Sequence, residues 1–172
     1  METRNGNRIK SCDYEWEPPH AAYEDLPPST YKKETRTPTF LLFTKGSEQK
    51  GTMQELYFLN CSDETLDWVS SCAGGFQTCD DDVATADSNG YQYENVEPGE
   101  AVLIDYYDMI YDSDYLLQPQ VMLSSPKLGQ VKFLASPEKG GYKDAVLLWD
   151  TGEPHRGVTM KTLDSAKKAS NP

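Results

Sequence analysis

Two histidines, four cysteines and 28 carboxylates are the side chains of this 172-residue chain that could carry acid–base, nucleophilic or metal chemistry. His20 and His155 each stand beside a proline, in PPH and EPHR. A Ser-His-Asp or Cys-His site would have to use one of them, because imidazole is the base that activates such a nucleophile. Neither lies near a G-x-S-x-G elbow, and His155, close to Arg156 and Asp150, reads as a surface turn residue. Cys12, Cys61, Cys72 and Cys79 contain no C-x-x-C pair; the nearest two, Cys72 and Cys79, enclose six residues, whereas structural zinc needs closer ligands. Cys61 and Cys72 read as small core residues. Gly74-Gly75 and Gly140-Gly141 are isolated pairs suited to hairpins or bulges, with no phosphate-cradling loop around them. Facing carboxylates are the machinery of glycosidases. In a chain this acidic any two acids can be paired on paper, so that pattern selects none, and no cofactor or metal is assigned.

The carboxylates are distributed unevenly. Residues 1–50 carry 8 acidic and 8 basic side chains, residues 51–126 carry 15 acidic and no Lys or Arg, and residues 127–172 carry 5 acidic and 8 basic. Soluble surfaces ordinarily mix the signs, because crowding one sign costs folding free energy. A one-sided segment of 76 residues therefore suggests a face that meets a cation. Within it, residues 105–117, DYYDMIYDSDYLL, interleave four Asp with four Tyr. Tyr buries area at low entropy cost and keeps a hydroxyl for the rim of an interface, while Asp accepts from Arg and Lys. Asp105, Tyr107, Asp108, Tyr111, Asp112, Asp114 and Tyr115 are accordingly candidate partner-binding residues, joined by Asp80, Asp81, Asp82 and Trp68. The bland alternative is an edge strand with Tyr107, Met109, Tyr111 and Tyr115 on one face and solvated carboxylates on the other. Asp80-Asp81-Asp82 with Asp87 and Asn89 before Gly90 also suggests a calcium loop, since calcium takes clustered hard oxygens. Its spacing departs from the EF-hand pattern, so a solvated turn competes with that reading.

These residues need a scaffold, and the text from Thr37 onward supplies one. Short apolar or alternating runs recur at 39–44, 55–61, 65–71, 90–96, 101–106, 120–125, 130–135, 144–150 and 157–163, with Gly, Pro, Asn or Asp between them. No stretch holds a helical apolar stripe over three turns; short helices are expected at most at 107–113 and 161–169. This pattern predicts an all-β fold, a two-sheet β-sandwich of the immunoglobulin-like or jelly-roll-like kind, over residues 37–163. In TLDWVSS the alternation places Leu66 and Trp68 on one face and Asp67 on the other. The stretch LYFLNCSDETL at 56–66 resembles the opening hairpin of immunoglobulin-like sandwiches. Residues 1–36, rich in Pro and charge, read as an extended arm with Tyr14, Trp16, Tyr23 and Tyr31 as anchors to the domain. Residues 164–172 read as a flexible basic tail.

Net charge is −12 with a sequence pI near 4.5. Such a chain is repelled by nucleic acid and by anionic membranes. No apolar run approaches the roughly 18 residues of a membrane span, and none follows the charged segment METRNGNRIK. A cytoplasmic location with reduced thiols is expected, in which the formal acceptor triplet Asn60-Cys61-Ser62 has no meaning. The function these features point to is non-enzymatic: occlusion of a basic partner, either a toxin or a nucleic-acid-binding enzyme, by an immunity-protein-like, antitoxin-like or nucleic-acid-mimicking inhibitor. The alternative is a calcium- or carbohydrate-binding β-sandwich module.

Overall fold

The computed structural model describes residues 3–47, 51–71, 90–111 and 116–163. The strand-like runs pair as antiparallel sheets, and the described chain contains no α-helix. The strands are β1 (Thr3–Asn5), β2 (Arg8–Lys10), β3 (Pro38–Gly46), β4 (Met53–Asn60), β5 (Leu66–Ser71), β6 (Tyr91–Val96), β7 (Ala101–Asp108), β8 (Leu116–Leu117), β9 (Gln120–Ser125), β10 (Gly129–Leu134), β11 (Glu138–Lys139), β12 (Ala145–Trp149) and β13 (Thr159–Thr162). One sheet has the order β1-β2-β7-β4-β3-β12 and the other β13-β10-β9-β5-β6; β8 and β11 form a separate ribbon. The two large sheets face each other in a β-sandwich, as the spacing of the runs predicts.

The core explains the sequence pattern. Phe40, Leu42, Phe58, Val102 and Ile104 of the first sheet meet Val69, Leu123, Val131 and Phe133 of the second. The first sheet is also apolar on its outer face, where Leu41, Phe43, Tyr57, Leu59 and Leu103 form a second cluster with Ile9 of β2. Strands buried on both faces read as continuous apolar runs rather than as alternation, which is why FLLF and LYFL carry no polar residue.

The N-terminal arm covers that outer face. Cys12, Tyr14 and Trp16 pack on it, while Ser11, Asp13, Glu15 and Glu17 between them are exposed, the alternation of an extended chain lying flat on a surface. Tyr14 stacks on Phe43 with centroids 4.6 Å apart, and its hydroxyl donates to Asp144 Oδ2 at 2.9 Å. Trp16 meets Trp149 edge-on at 5.6 Å. The chain then turns through short 3-10 segments at Pro19–Tyr23 and Pro28–Thr30 and returns beneath Arg36, whose guanidinium lies 4.3 Å from the Trp149 ring centre.

Several expectations need correction. The arm is not extended throughout, because β1 and β2 form a hairpin that adds to the first sheet through pairing of Arg8 with Val102 and Ile9 with Ala101. Arg8 and Lys10 of this hairpin hold the buried carboxylate of Glu100 at 3.1 and 3.2 Å. Tyr23 does not anchor; it is exposed. Residues 107–108 and 161–162 lie in strands, where cross-strand bonds replace the short helices expected there. Cys61 is exposed rather than in the core, at the point where β4 leaves the sheet. Asn60 is fully buried and committed to the main chain: its amide donates to Glu64 O and Val96 O, at 2.9 and 3.1 Å. Leu66 and Val69 enter the core while Trp68 stays half-buried outside it, with Asn95 opposite this step in a left-handed conformation, φ 53°. Cys72, Cys79 and the tail at 164–172 lie outside the described residues.

Candidate interaction surface

The acidic, Tyr-rich stretch begins in β7, and a β-bulge decides how it is presented. Leu56 pairs with Asp105 but Tyr57 pairs with Leu103, so Ile104 is an extra residue in β7. Before the bulge, Val102 and Ile104 face the core and Ala101 and Leu103 face outward. Strict alternation would next bring Tyr106 inward. The bulge shifts the phase, so Tyr107 fills the core at 1 % exposure and Tyr106 turns to solvent at 38 %.

The loop between β11 and β12 braces this strand. The Tyr142 hydroxyl donates to the Asp105 carboxylate, and the Tyr142 ring meets Tyr107 edge-on at 6.1 Å. Gln54 of β4 bonds the Tyr142 main chain on both sides, donating to its carbonyl at 3.4 Å and accepting from its amide at 3.2 Å. Gly141 makes the close approach possible. Its φ is +118°, and a Cβ there would sit 3.4 Å from both Gln54 Oε1 and the Tyr107 ring. Beyond β7 the chain reverses at once: Met109 N–H donates to Thr52 O at 2.9 Å, and Asp108 Oδ1 accepts from the amides of Ile110 and Tyr111 at 2.9 and 3.2 Å. This is the local side-chain-to-backbone bonding by which Asp shapes turns.

The turn projects its apolar side chains outward. Met109 is 60 % exposed, Ile110 63 %, Tyr111 79 % and Leu116, at the start of β8, 64 %. With Tyr106 they make five of the seven large exposed hydrophobic residues among the described ones. Scattered exposed apolar residues are ordinary, whereas a cluster of them on one turn is a candidate interaction surface. Tyr106 continues it toward β6, where Tyr91 lies 6.5 Å away. Burial raises the pKa of the Tyr91 phenol, and Tyr106, Asp105 and Glu55 raise it further.

The structure sorts the candidate residues into three groups. Tyr111 is exposed on the turn. Asp105 and Asp108 are engaged in the internal bonds just described, so they contribute charge to the field while shaping the loop. Tyr107 must be removed from the partner-binding set, because its ring is core, and it does not share a face with Met109 and Tyr111. Trp68 belongs to the opposite sheet, where its cross-strand neighbours are Glu94 and Ser124. Asp80, Asp81, Asp82, Asp112, Asp114 and Tyr115 lie outside the described residues, and so does the calcium reading of residues 80–90 apart from Gly90. Met109, Ile110 and Leu116 were missed as site residues, although three apolar residues between aspartates are the signal that could have found them.

A second feature was missed altogether. His155 is not a free surface residue; it is half-buried and packs on Trp149 with centroids 5.5 Å apart. Burial lowers its pKa, and Arg36 and Arg156 lower it further against the opposing Glu34. His20 is buried too, with its Nδ1 accepting from the Glu34 amide at 3.0 Å. The described residues contain no cluster of three His, Cys, Asp or Glu that could hold a metal ion, and no described helix is long and apolar enough to cross a membrane. No family model matches the chain, and neither the curated proteins nor the solved structures provide a match.

Proposed function

We propose that this chain is a non-enzymatic binding protein of the cytoplasm that neutralises a basic partner by occluding it, in the manner of an immunity protein, an antitoxin or a nucleic-acid-mimicking inhibitor. The observation that carries this reading is the braced β7 turn. Met109, Ile110 and Tyr111 stand exposed within a 76-residue segment without Lys or Arg. An apolar anchor carried by a segment of one sign of charge suits a partner surface with an apolar pocket rimmed by Arg or Lys. The anchor supplies buried area, and the field speeds and orients the encounter more than it adds affinity. The brace from Tyr142 holds the anchor in place before binding, which lowers the ordering cost of association.

The test is affinity capture from the native cell extract on the immobilised protein, washed in steps of rising salt, with I110S/Y111S immobilised alongside. One basic protein retained stoichiometrically by the parent, released at moderate salt and not retained by the variant supports the reading. Equal retention by the variant, or no retained protein at low salt, overturns it.

A further inference from the structure

We infer that the cleft between the N-terminal arm and β12 binds a neutral, polyhydroxylated ring: a saccharide. This site is separate from the β7 turn. The cleft has a volume of about 500 Å³, with Tyr14 and Trp16 on the arm side and Val146 and Trp149 on the sheet side. That is within the usual size for a small-molecule site, with mostly apolar walls and a few polar groups that fix orientation.

The polar groups narrow the ligand class by elimination. Glu15, Glu17 and Asp144 line the cleft, and no described Lys or Arg does, so an anion is repelled. Arg36 lies against the Trp149 ring but is already paired with Glu34 through two bonds of 2.8 Å. A simple cation would suit the three carboxylates but leaves another requirement unmet. Trp149 is 2 % exposed, and its Nε1–H, which can only donate, finds no hydrogen-bond partner among the described residues. Nδ1 of the neighbouring His155 is likewise buried without a partner. A buried polar atom left unbonded is costly, and both of these belong to residues that line the cleft and whose rings are in contact. An alkylammonium ion without a hydroxyl group offers no acceptor to Trp149. A hydroxyl group accepts from Nε1–H, matches Nδ1 in either protonation state, and donates to carboxylates. Several hydroxyls on a ring whose C–H face lies against Trp16 match the whole set.

Both unbonded atoms are closed from solvent. A bound sugar therefore reaches them only by shifting a side chain of the cleft wall, and with Trp16 and Trp149 both lining the cleft, binding is read by tryptophan emission as well as by contact. The experiment is saturation-transfer-difference NMR on the full chain with a panel of neutral mono- and disaccharides, with tetramethylammonium and a sugar phosphate as charged controls. At least one neutral sugar should show transfer to its ring protons and a saturable change in emission. W149F keeps the ring and removes the donor; it should weaken binding by about tenfold, near the most that one neutral hydrogen bond supplies. E17Q, at an exposed position, is a second variant that should also weaken binding while leaving the fold intact. I110S/Y111S should bind the sugar as the parent does, which separates failure here from failure of the partner reading. Transfer to no neutral sugar, preference for either charged control, or undiminished binding in both W149F and E17Q would overturn the assignment.

Discussion

The hydroxyl of Tyr142 donates a hydrogen bond to the carboxylate of Asp105, 37 residues away in the chain and on a different structural element. This bond ties the Gly140-Gly141 loop to the strand that carries the exposed turn. A carboxylate expected to face a partner is instead turned into part of the mount. Tyr142→Phe deletes the bond and leaves the ring contact with Tyr107. It should cost about 1.5–3 kcal/mol, the usual worth of a hydrogen bond to a charged group, measured as a shift in the urea midpoint. No shift would show that the loop is held without this bond.

Tyr106 and Tyr107 are adjacent and chemically identical, yet the bulge at Ile104 gives them opposite environments. Tyr107→Ala should destabilise the fold by about 3–5 kcal/mol, as emptying a core aromatic site does. Tyr106→Ala should cost less than about 1 kcal/mol. Chemical denaturation of the two variants decides it, and comparable losses would place the bulge elsewhere.

Two groups near the arm set the acid limb of stability. The folded His155 has a pKa below its ordinary 6.5, chiefly through burial, so the unfolded chain takes the proton more readily. Its effect is absent above pH 6.5 and destabilises the fold as pH drops below that value. The Arg36 guanidinium beside Glu34 lowers that carboxyl from 4.5 to about 2, so its contribution is present above 4.5 and is lost as pH falls from there through about 2. The melting temperature should decline in two stages on acidification. His155→Gln should flatten the upper stage and Glu34→Gln the lower one. A parent curve flat from pH 7 to 5 would contradict the burial of His155.

Arg8 and Lys10 reach across from the N-terminal hairpin to Glu100, whose side chain is 1 % exposed. Removing both cations leaves a buried carboxylate facing no charge. The double variant R8A/K10A should lose about 3 kcal/mol, and E100Q introduced into it should recover part of the loss. If E100Q instead adds a further loss, the carboxylate's value lies in its bond from the Glu97 amide, 2.9 Å long.

The strands of the sandwich were legible because apolar runs broken by turn residues leave few other folds. QVMLSS and QVKFLA, with SPKLG between them, name their own hairpin. The N-terminal hairpin was less visible. Its strands are three residues long and mostly polar, and its two turn residues are Gly6-Asn7, with Gly6 at φ 61°, rather than the more familiar Asn-Gly pair formed by Asn5 and Gly6. The bulge left no mark at all: AVLIDYYD contains neither Gly nor Pro, and the register is set by the neighbouring strand. Burial of Tyr107 follows from that register, so it was invisible for the same reason. The clustering of charge was plain in the chain, but its use was not, since Asp105 bonds Tyr142, 37 residues away, which spacing alone cannot bring to it. The cleft at Trp149 depends on contacts between residues 14–19 and 144–155, far beyond the reach of any local pattern.

The arm that crosses the outer sheet joins residues made far apart in time as well as in sequence. Tyr14 bonds Asp144 across 130 positions and Thr37 bonds Asp150 across 113. Contacts of such separation are closed late, because loop closure must come before they repay it. During synthesis the arm emerges early, but the surface it clasps is incomplete until β12 has followed. Until then the backs of β3 and β4, with Leu41, Phe43, Tyr57 and Leu59, have no cover from it. Docking of the arm is therefore the step at which an unfinished sheet, open to edge pairing and chaperone capture, becomes a closed product.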